Sequence, residues 1–249
     1  MLTAGVDVAA EPRGTALAIV EWADNTARLA ELTLNVADDV IVEAAIRADK
    51  IGIDCALGWP IEFVDFVVDH AKTDTPPSPV DGGMEWRRRL AYRETDRHIR
   101  ARTGRWPLSV STDRLGLTAM RTAGLLARMA ASGIDVDRSG FGDVVEVYPG
   151  ATLRWWGCDT QGYRTARAPR ETLLASLQQR APWLEVALFA DMMVSSADAF
   201  DAVIAALCAR AAALGLVERP PDQIVERARV EGWIAFPTGP LGDLLQPTH

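Results

Sequence analysis

Two acids set in near-identical apolar runs limit the fold of this chain more than any other feature: GVDVA around Asp7 and GIDCA around Asp54. A side chain inside a covered sheet has no water to solvate its charge, and an isolated aspartate there is driven toward its neutral form. A third apolar run, DVVEVYPG, carries Glu146, and the stretch SSADAFDAVIAALCARAA carries Asp198 and Asp201 near its start. Acids far apart in sequence escape the penalty by converging at the ends of adjacent strands and sharing divalent cations. Hard ions such as Mg2+ or Mn2+ take oxygen ligands of this kind. Paired ions about 4 Å apart activate water and stabilise a departing phosphate oxygen. The matching contexts of Asp7 and Asp54 predict two similar strands delivering acids to one edge.

Each acid also has a purely structural reading. Asp7 and Asp54 could serve as hydrogen-bonding strand ends. Glu146 precedes Tyr148-Pro149-Gly150 and could cap the helix that follows Pro149. Asp198 and Asp201 fall in the first turn of a predicted helix, where acids meet free amides and the positive dipole end, and Ser195 or Ser196 is available as the cap. Their spacing of three puts both on one side of that helix. Asp201 is followed by Ala202, which allows close approach, and is the preferred metal ligand, with Asp198 the near alternative.

Residues 2–9, 14–23 and 27–35 read as strands joined by short turns, hence an antiparallel meander. A helix capped by Asp38 or Asp39 follows, then a strand from Lys50 expected to run parallel to the first. The stretch KTDTPPSPVDGGM, residues 72–84, reads as a loop. The next segment, EWRRRLAYRETDRHIRARTGR, holds eight arginines against three acids and is predicted helical, with Arg89, Arg93, Arg97 and Arg100 on one face. Further helices are expected over 117–131, 150–156, 169–180 and 198–214, the last stopped by Gly215. A strand is expected over 143–148, and EGWIAFP reads as an extended segment docking on the core. The expected architecture is α/β, a mixed sheet of three antiparallel strands followed by parallel strands, flanked by helices. Residues 1–249 read as one domain, with 72–131 a loop and helical insertion within it.

Composition removes several function classes. The net charge of −8 disfavours a non-specific nucleic-acid coat, which needs phosphate neutralisation, although the arginine-rich segment is locally positive. Cys55, Cys158 and Cys208 are far apart and odd in number, so reduced thiols are expected. Three histidines give no zinc spacing. No run is long and apolar enough to span a bilayer, and the N-terminus lacks the pattern of a signal peptide, so the expected location is cytoplasmic and without membrane partners. A homo-oligomer is compatible with the sequence.

The ordered series GVDVA, GIDCALGWP, RETDRHIR, VVEVYPGATLRWW, SSADAFDAVIAALCARAA and EGWIAFP resembles the DUF429 family, bacterial and archaeal proteins described as predicted nucleases with a ribonuclease H-like fold. The resemblance covers nearly the whole chain. It implies a carboxylate-held two-metal site for phosphodiester hydrolysis of nucleic acid. Asp7 and Asp54 would hold the metals, and Glu146 and Asp201 (or Asp198) would complete their shells and position water. Arg89, Arg93, Arg97 and Arg100 would contact phosphates through their forked donors, while Asp96 would orient a neighbouring arginine.

Three rivals share this vocabulary. A magnesium-dependent phosphohydrolase of small nucleotides would use the same acids. An actin-like ATPase or sugar kinase also opens on a strand–turn–strand with an aspartate, but the first turn here, AAEPRGT, has a single glycine and no phosphate-loop lysine. A non-catalytic scaffold is the third, and it leaves unexplained why acids stand where neutral residues would be easier to bury.

Overall fold

The run ALAIVEW between two turn signals forms the second strand of a meander that organises everything else. The computed structural model describes residues 1–72 and 82–246, so most of the loop expected over 72–84 lies outside the described residues. Strands β1 (Leu2–Asp7), β2 (Ala16–Trp22) and β3 (Ala27–Leu34) pair antiparallel. Helix α1 (Asp38–Arg47) then crosses to β4 (Lys50–Asp54), which returns parallel to β1. A short β5 (Val144–Glu146) adds parallel to β4, and β6 (Leu184–Glu185) adds parallel to β3. The strand order is β5-β4-β1-β2-β3-β6, a ribonuclease H-like topology.

Ten α-helices flank the sheet among the described residues. On one face α1 and α5 (Gly116–Ala131) cover Ala4, Val6, Leu17, Ile19, Ile51 and Ile53. These positions alternate along their strands, as the two-residue side-chain period requires. On the other face lies α9 (Ala197–Ala213), a helix buried nearly all round, with α6 (Pro149–Trp155), α7 (Arg167–Arg180) and α8 (Ala190–Ser195) beyond it. The cap of α9 is Ser196, whose Oγ accepts from the Ala199 amide at 3.2 Å.

The sheet face under α9 explains how close that helix lies. Gly52, Gly5 and Ala18 form one row across β4, β1 and β2. A Cβ built on Gly5 would fall 2.1 Å from the Ala206 nitrogen and 2.2 Å from the Ala202 carbonyl oxygen, and one on Gly52 would fall 2.5 Å from the Ala205 carbonyl oxygen. The row of small residues is a trough that only a missing side chain leaves deep enough. The next row, two residues along, is Asp54, Asp7 and Ala16.

The expectation of one arginine-rich helix with four arginines on a face is corrected. The segment forms two helices, α3 (Gly83–Ala91) and α4 (Glu94–Thr103), and Arg93 sits in the extended link between them. Burial causes the break: Arg93 is pulled into the core, and Asp96 caps the new helix by accepting from the Arg93 amide at 2.9 Å. Helix α2 (Ile61–His70) follows the Gly58-Trp59-Pro60 turn, and α10 (Val225–Glu231) precedes the EGWIAFP segment. That segment lies parallel to β5 by a bridge between Glu146 and Ile234. Cys55, Cys158 and Cys208 are all free and buried.

Candidate metal centre

Side-chain alternation puts Gly5 and Asp7 on the same face of β1, and Gly52 and Asp54 on the same face of β4. The trough that admits α9 therefore brings Asp201, one turn into that helix, over the paired strand ends. Asp7, Asp54 and Asp201 each offer a carboxylate oxygen, and the three oxygens lie within 4.8 Å of one another. Oxygen ligands stand about 2.0–2.6 Å from Mg2+ or Ca2+, so three oxygens at these separations can surround one ion.

Electrostatics supports the same reading. Asp7 is buried, and its Oδ2 has no hydrogen-bond partner. Burial, then the Asp54 and Asp201 charges, raise its pKa well above the ordinary value. Asp54, only partly buried, is pushed up to about 8 by desolvation and by Asp201. Asp201 is fully buried and rises to about 6, because desolvation outweighs the Arg164 guanidinium and the Tyr163 hydroxyl that pull it down. Three acids that resist ionisation together are a site that lacks positive charge. The orphaned Asp7 oxygen and the all-carboxylate donor set fit a hard divalent cation.

Arg164 supplies part of that charge. Its Nη1 donates to Asp201 Oδ2, while its Nη2 stands 3.6 Å from Asp7 Oδ2 and 4.0 Å from Asp198 Oδ1. The Tyr163 hydroxyl donates to Asp201 Oδ1 at 3.0 Å. Neither residue was singled out from sequence; they belong to the irregular stretch QGYRTA between α6 and α7, which has no periodicity to mark it. Asp198 stands at the rim, 39% exposed, outside the group of three.

Glu146 also lies outside that group. Its Oε1 and Oε2 each accept from the Arg93 guanidinium at 2.7 Å, and Oε2 accepts from the Leu57 amide at 3.0 Å. Arg93 is 2% exposed and is held on its other side by Asp96, with Nη2 2.9 Å from Oδ1. Burial lifts the Glu146 pKa despite Arg93. The carboxylate is thus already paired, and Gly232, at φ +88°, passes so close that a Cβ there would sit 2.8 Å from Glu146 Oε2. Of the four arginines expected at phosphates, Arg93 is consumed by this pair and Arg97 bonds Glu94 at 2.7 Å. Arg89 and Arg100 are exposed, and neither lines the cavity that opens over the acids.

That cavity has a volume of about 530 Å³. Asp7, Asp54 and Glu146 are at its floor, and Arg105, Arg114, Arg154 and Arg164 are among its walls. No helix among the described residues is long and apolar enough to cross a membrane. Comparison with curated proteins and with solved structures finds no match. A family model does match, across residues 5–226, and it takes in Asp7, Asp54, Glu146, Asp198 and Asp201: the chain belongs to the DUF429 family, whose description is a protein of unknown function.

Proposed function

We propose that Asp7, Asp54 and Asp201 bind Mg2+ or Mn2+ and that the protein is a metal-dependent phosphodiester hydrolase, a nuclease acting on nucleic acid. The observation that carries this reading is the convergence of three carboxylates from β1, β4 and α9 at the carboxyl edge of a ribonuclease H-like sheet. The bound ion would activate water and neutralise charge developing on a phosphate oxygen. Asp7 and Asp54 hold adjacent positions by strand register, which sets their spacing rigidly. Asp201 approaches from above, and the Tyr163 hydroxyl keeps one of its oxygens aimed. Asp198, exposed at the rim, would accept from a water on the ion. Glu146, locked by Arg93, holds the β5 end and the Leu57 amide beside Asp54.

Calorimetric titration with Mn2+ tests the site, using the wild type and Asp7→Asn. Binding is expected for the wild type and lost in the variant; absence of wild-type binding overturns the reading. Cleavage of single-stranded DNA, RNA and branched DNA is then compared between the two proteins, with loss of cleavage expected in Asp7→Asn.

A second reading, hydrolysis of small nucleotides, draws support from the cavity. Its volume of about 530 Å³ falls within the roughly 300–1,000 Å³ usual for small-molecule sites. Turnover of nucleotides without cleavage of any polymer would favour it. An actin-like kinase calls for a duplicated core, whereas the described residues form one six-stranded sheet.

A further inference from the structure

The site has a second charged surface that the metal reading does not use. Arg105 and Arg114 both line the cavity, and neither has a carboxylate partner among the described residues. Several arginines elsewhere are engaged by acids, among them Arg28 with Glu21, Arg47 with Glu31, Arg121 with Asp38 and Arg227 with Glu62. In an acidic protein, two guanidiniums left unpaired on the wall of a cavity floored by acids are available to a bound anion.

The loop that carries them is built rather than loose. Ser109 is fully buried at its centre; its hydroxyl donates to the Ala91 carbonyl at 2.6 Å and accepts from the Ser111 and Thr112 amides at 3.2 and 3.1 Å. The Ser109 amide donates to Asp113 Oδ2 at 2.8 Å, just before Arg114. At the other end Trp106 stacks on Tyr92 with centroids 4.0 Å apart, and the Arg105 amide donates to Thr103 Oγ1 at 3.2 Å. Arg154 of α6 lines the same cavity, and among the described residues its guanidinium makes only a long 3.5 Å contact to Thr160. The cavity wall also carries apolar surface from Leu108, Leu115 and Tyr148, and Leu108 is 49% exposed.

We propose that Arg105 and Arg114 form a phosphate subsite, and that the adjoining apolar wall takes the base of the same nucleotide unit. The assignment rests on the hydrolase reading and narrows it: the cavity receives one nucleotide, free or at a strand end, with its phosphate on the arginines and the scissile bond toward the acids. Guanidinium–phosphate pairs supply the charge-assisted bonds, and a base presents the flat apolar face that Leu108, Leu115 and Tyr148 can cover.

The test is calorimetry on metal-free protein at low ionic strength with inorganic phosphate, adenosine monophosphate and adenosine as probes. The wild type is expected to bind both phosphates, the nucleotide more tightly, and adenosine weakly or not at all. Arg105→Gln with Arg114→Gln is expected to weaken nucleotide binding about tenfold or more, as for the loss of charge-assisted bonds, while Arg28→Gln with Arg47→Gln on the far surface leaves it unchanged. No wild-type binding, an unchanged Arg105/Arg114 variant, or an equal loss in the surface variant overturns the subsite. Equal affinity for phosphate and nucleotide overturns the base-binding wall. Mn2+ titrated into the same proteins separates the two readings. Intact Mn2+ binding with no phosphate binding sinks the subsite alone; phosphate binding without Mn2+ binding sinks the metal centre alone.

Discussion

Asp7 and Asp54 are register partners at the ends of two adjacent parallel strands, so their carboxylates share one face and one pocket. Strand pairing fixes that relationship before any ligand arrives. The protein therefore carries the repulsion in its metal-free state, and the consequence is measurable as stability.

Stability of the metal-free protein should fall as pH rises. Asp54 is held near 8 and Asp201 near 6, against 3.8 for an ordinary aspartate. The folded chain keeps protons there that the unfolded chain has already released. The contribution of these groups is thus fully present below an unfolded pKa of about 3.8 and disappears as pH rises through the folded values. Unfolding by denaturant in the presence of a chelator should show less stability at about pH 8.5 than at about pH 5.5, and saturating Mn2+ should restore more at the higher pH. A stabilisation by Mn2+ that is the same at both would contradict the shared-charge account.

Arg164 and a divalent cation should compete. The guanidinium reaches Asp201, Asp7 and Asp198 together, and its side chain is 52% exposed, so it can leave without opening the core. Arg164→Met removes the competing charge and is expected to tighten Mn2+ binding by about tenfold, or about 1.4 kcal/mol, while lowering the melting temperature of the metal-free protein. Weaker Mn2+ binding in the variant would instead mean that Arg164 organises the acids.

The strands and two of the three clustered acids were legible because their signals are local. A continuous apolar run broken by one acid marks β1 and β4, and the repeated Gly-x-Asp places a gap and an acid on the same face of each. Asp201 was legible for a related reason, since the alanine after it announces a helix packed closely. Arg164 was not, because nothing in an irregular loop tells which side chain turns inward. The Arg93–Glu146 pair joins residues 53 apart, and no spacing rule reaches that far. Four arginines three or four apart resemble a helical face, yet Asp96, three residues after Arg93, is the N3 acid of a capping box that starts a new helix at Arg93.

Gly5 should tolerate no side chain. Its absent Cβ would meet the backbone of α9 at 2.1 Å, and a helix buried along its length has nowhere to retreat. Gly5→Ala is expected to cost about 3 kcal/mol or more, at the upper end of overpacking effects. By lifting α9 it should also weaken Mn2+ binding, because Asp201 rides on that helix. Gly124→Ala is the control: its Cβ has nothing within 4 Å, and it should leave stability unchanged or slightly raised, as alanine favours a helix. Chemical denaturation of both variants, with Mn2+ titration of the folded fraction, makes the comparison; a Gly5→Ala protein as stable as the wild type would refute the trough.

Arg93 also borders the cavity but should prove structural, in contrast to Arg105 and Arg114. It is 2% exposed, between Asp96 and Glu146, and removing it leaves two buried carboxylates without a counter-charge. Breaking a buried pair from one side typically costs about 3–5 kcal/mol, so Arg93→Met should lower stability by that order. Arg100→Gln, on an exposed position of α4, should change it by less than about 0.5 kcal/mol. The damage has a direction, because Glu146 holds the Leu57 amide beside Asp54, so Arg93→Met should also loosen the acids. Double substitution distinguishes the charge from the packing: Glu146→Gln placed on Arg93→Met removes one stranded carboxylate and should recover part of the lost stability, measured by denaturant midpoint. A double variant less stable than Arg93→Met would show that Glu146 acts there through its hydrogen bond to Leu57 rather than through its charge.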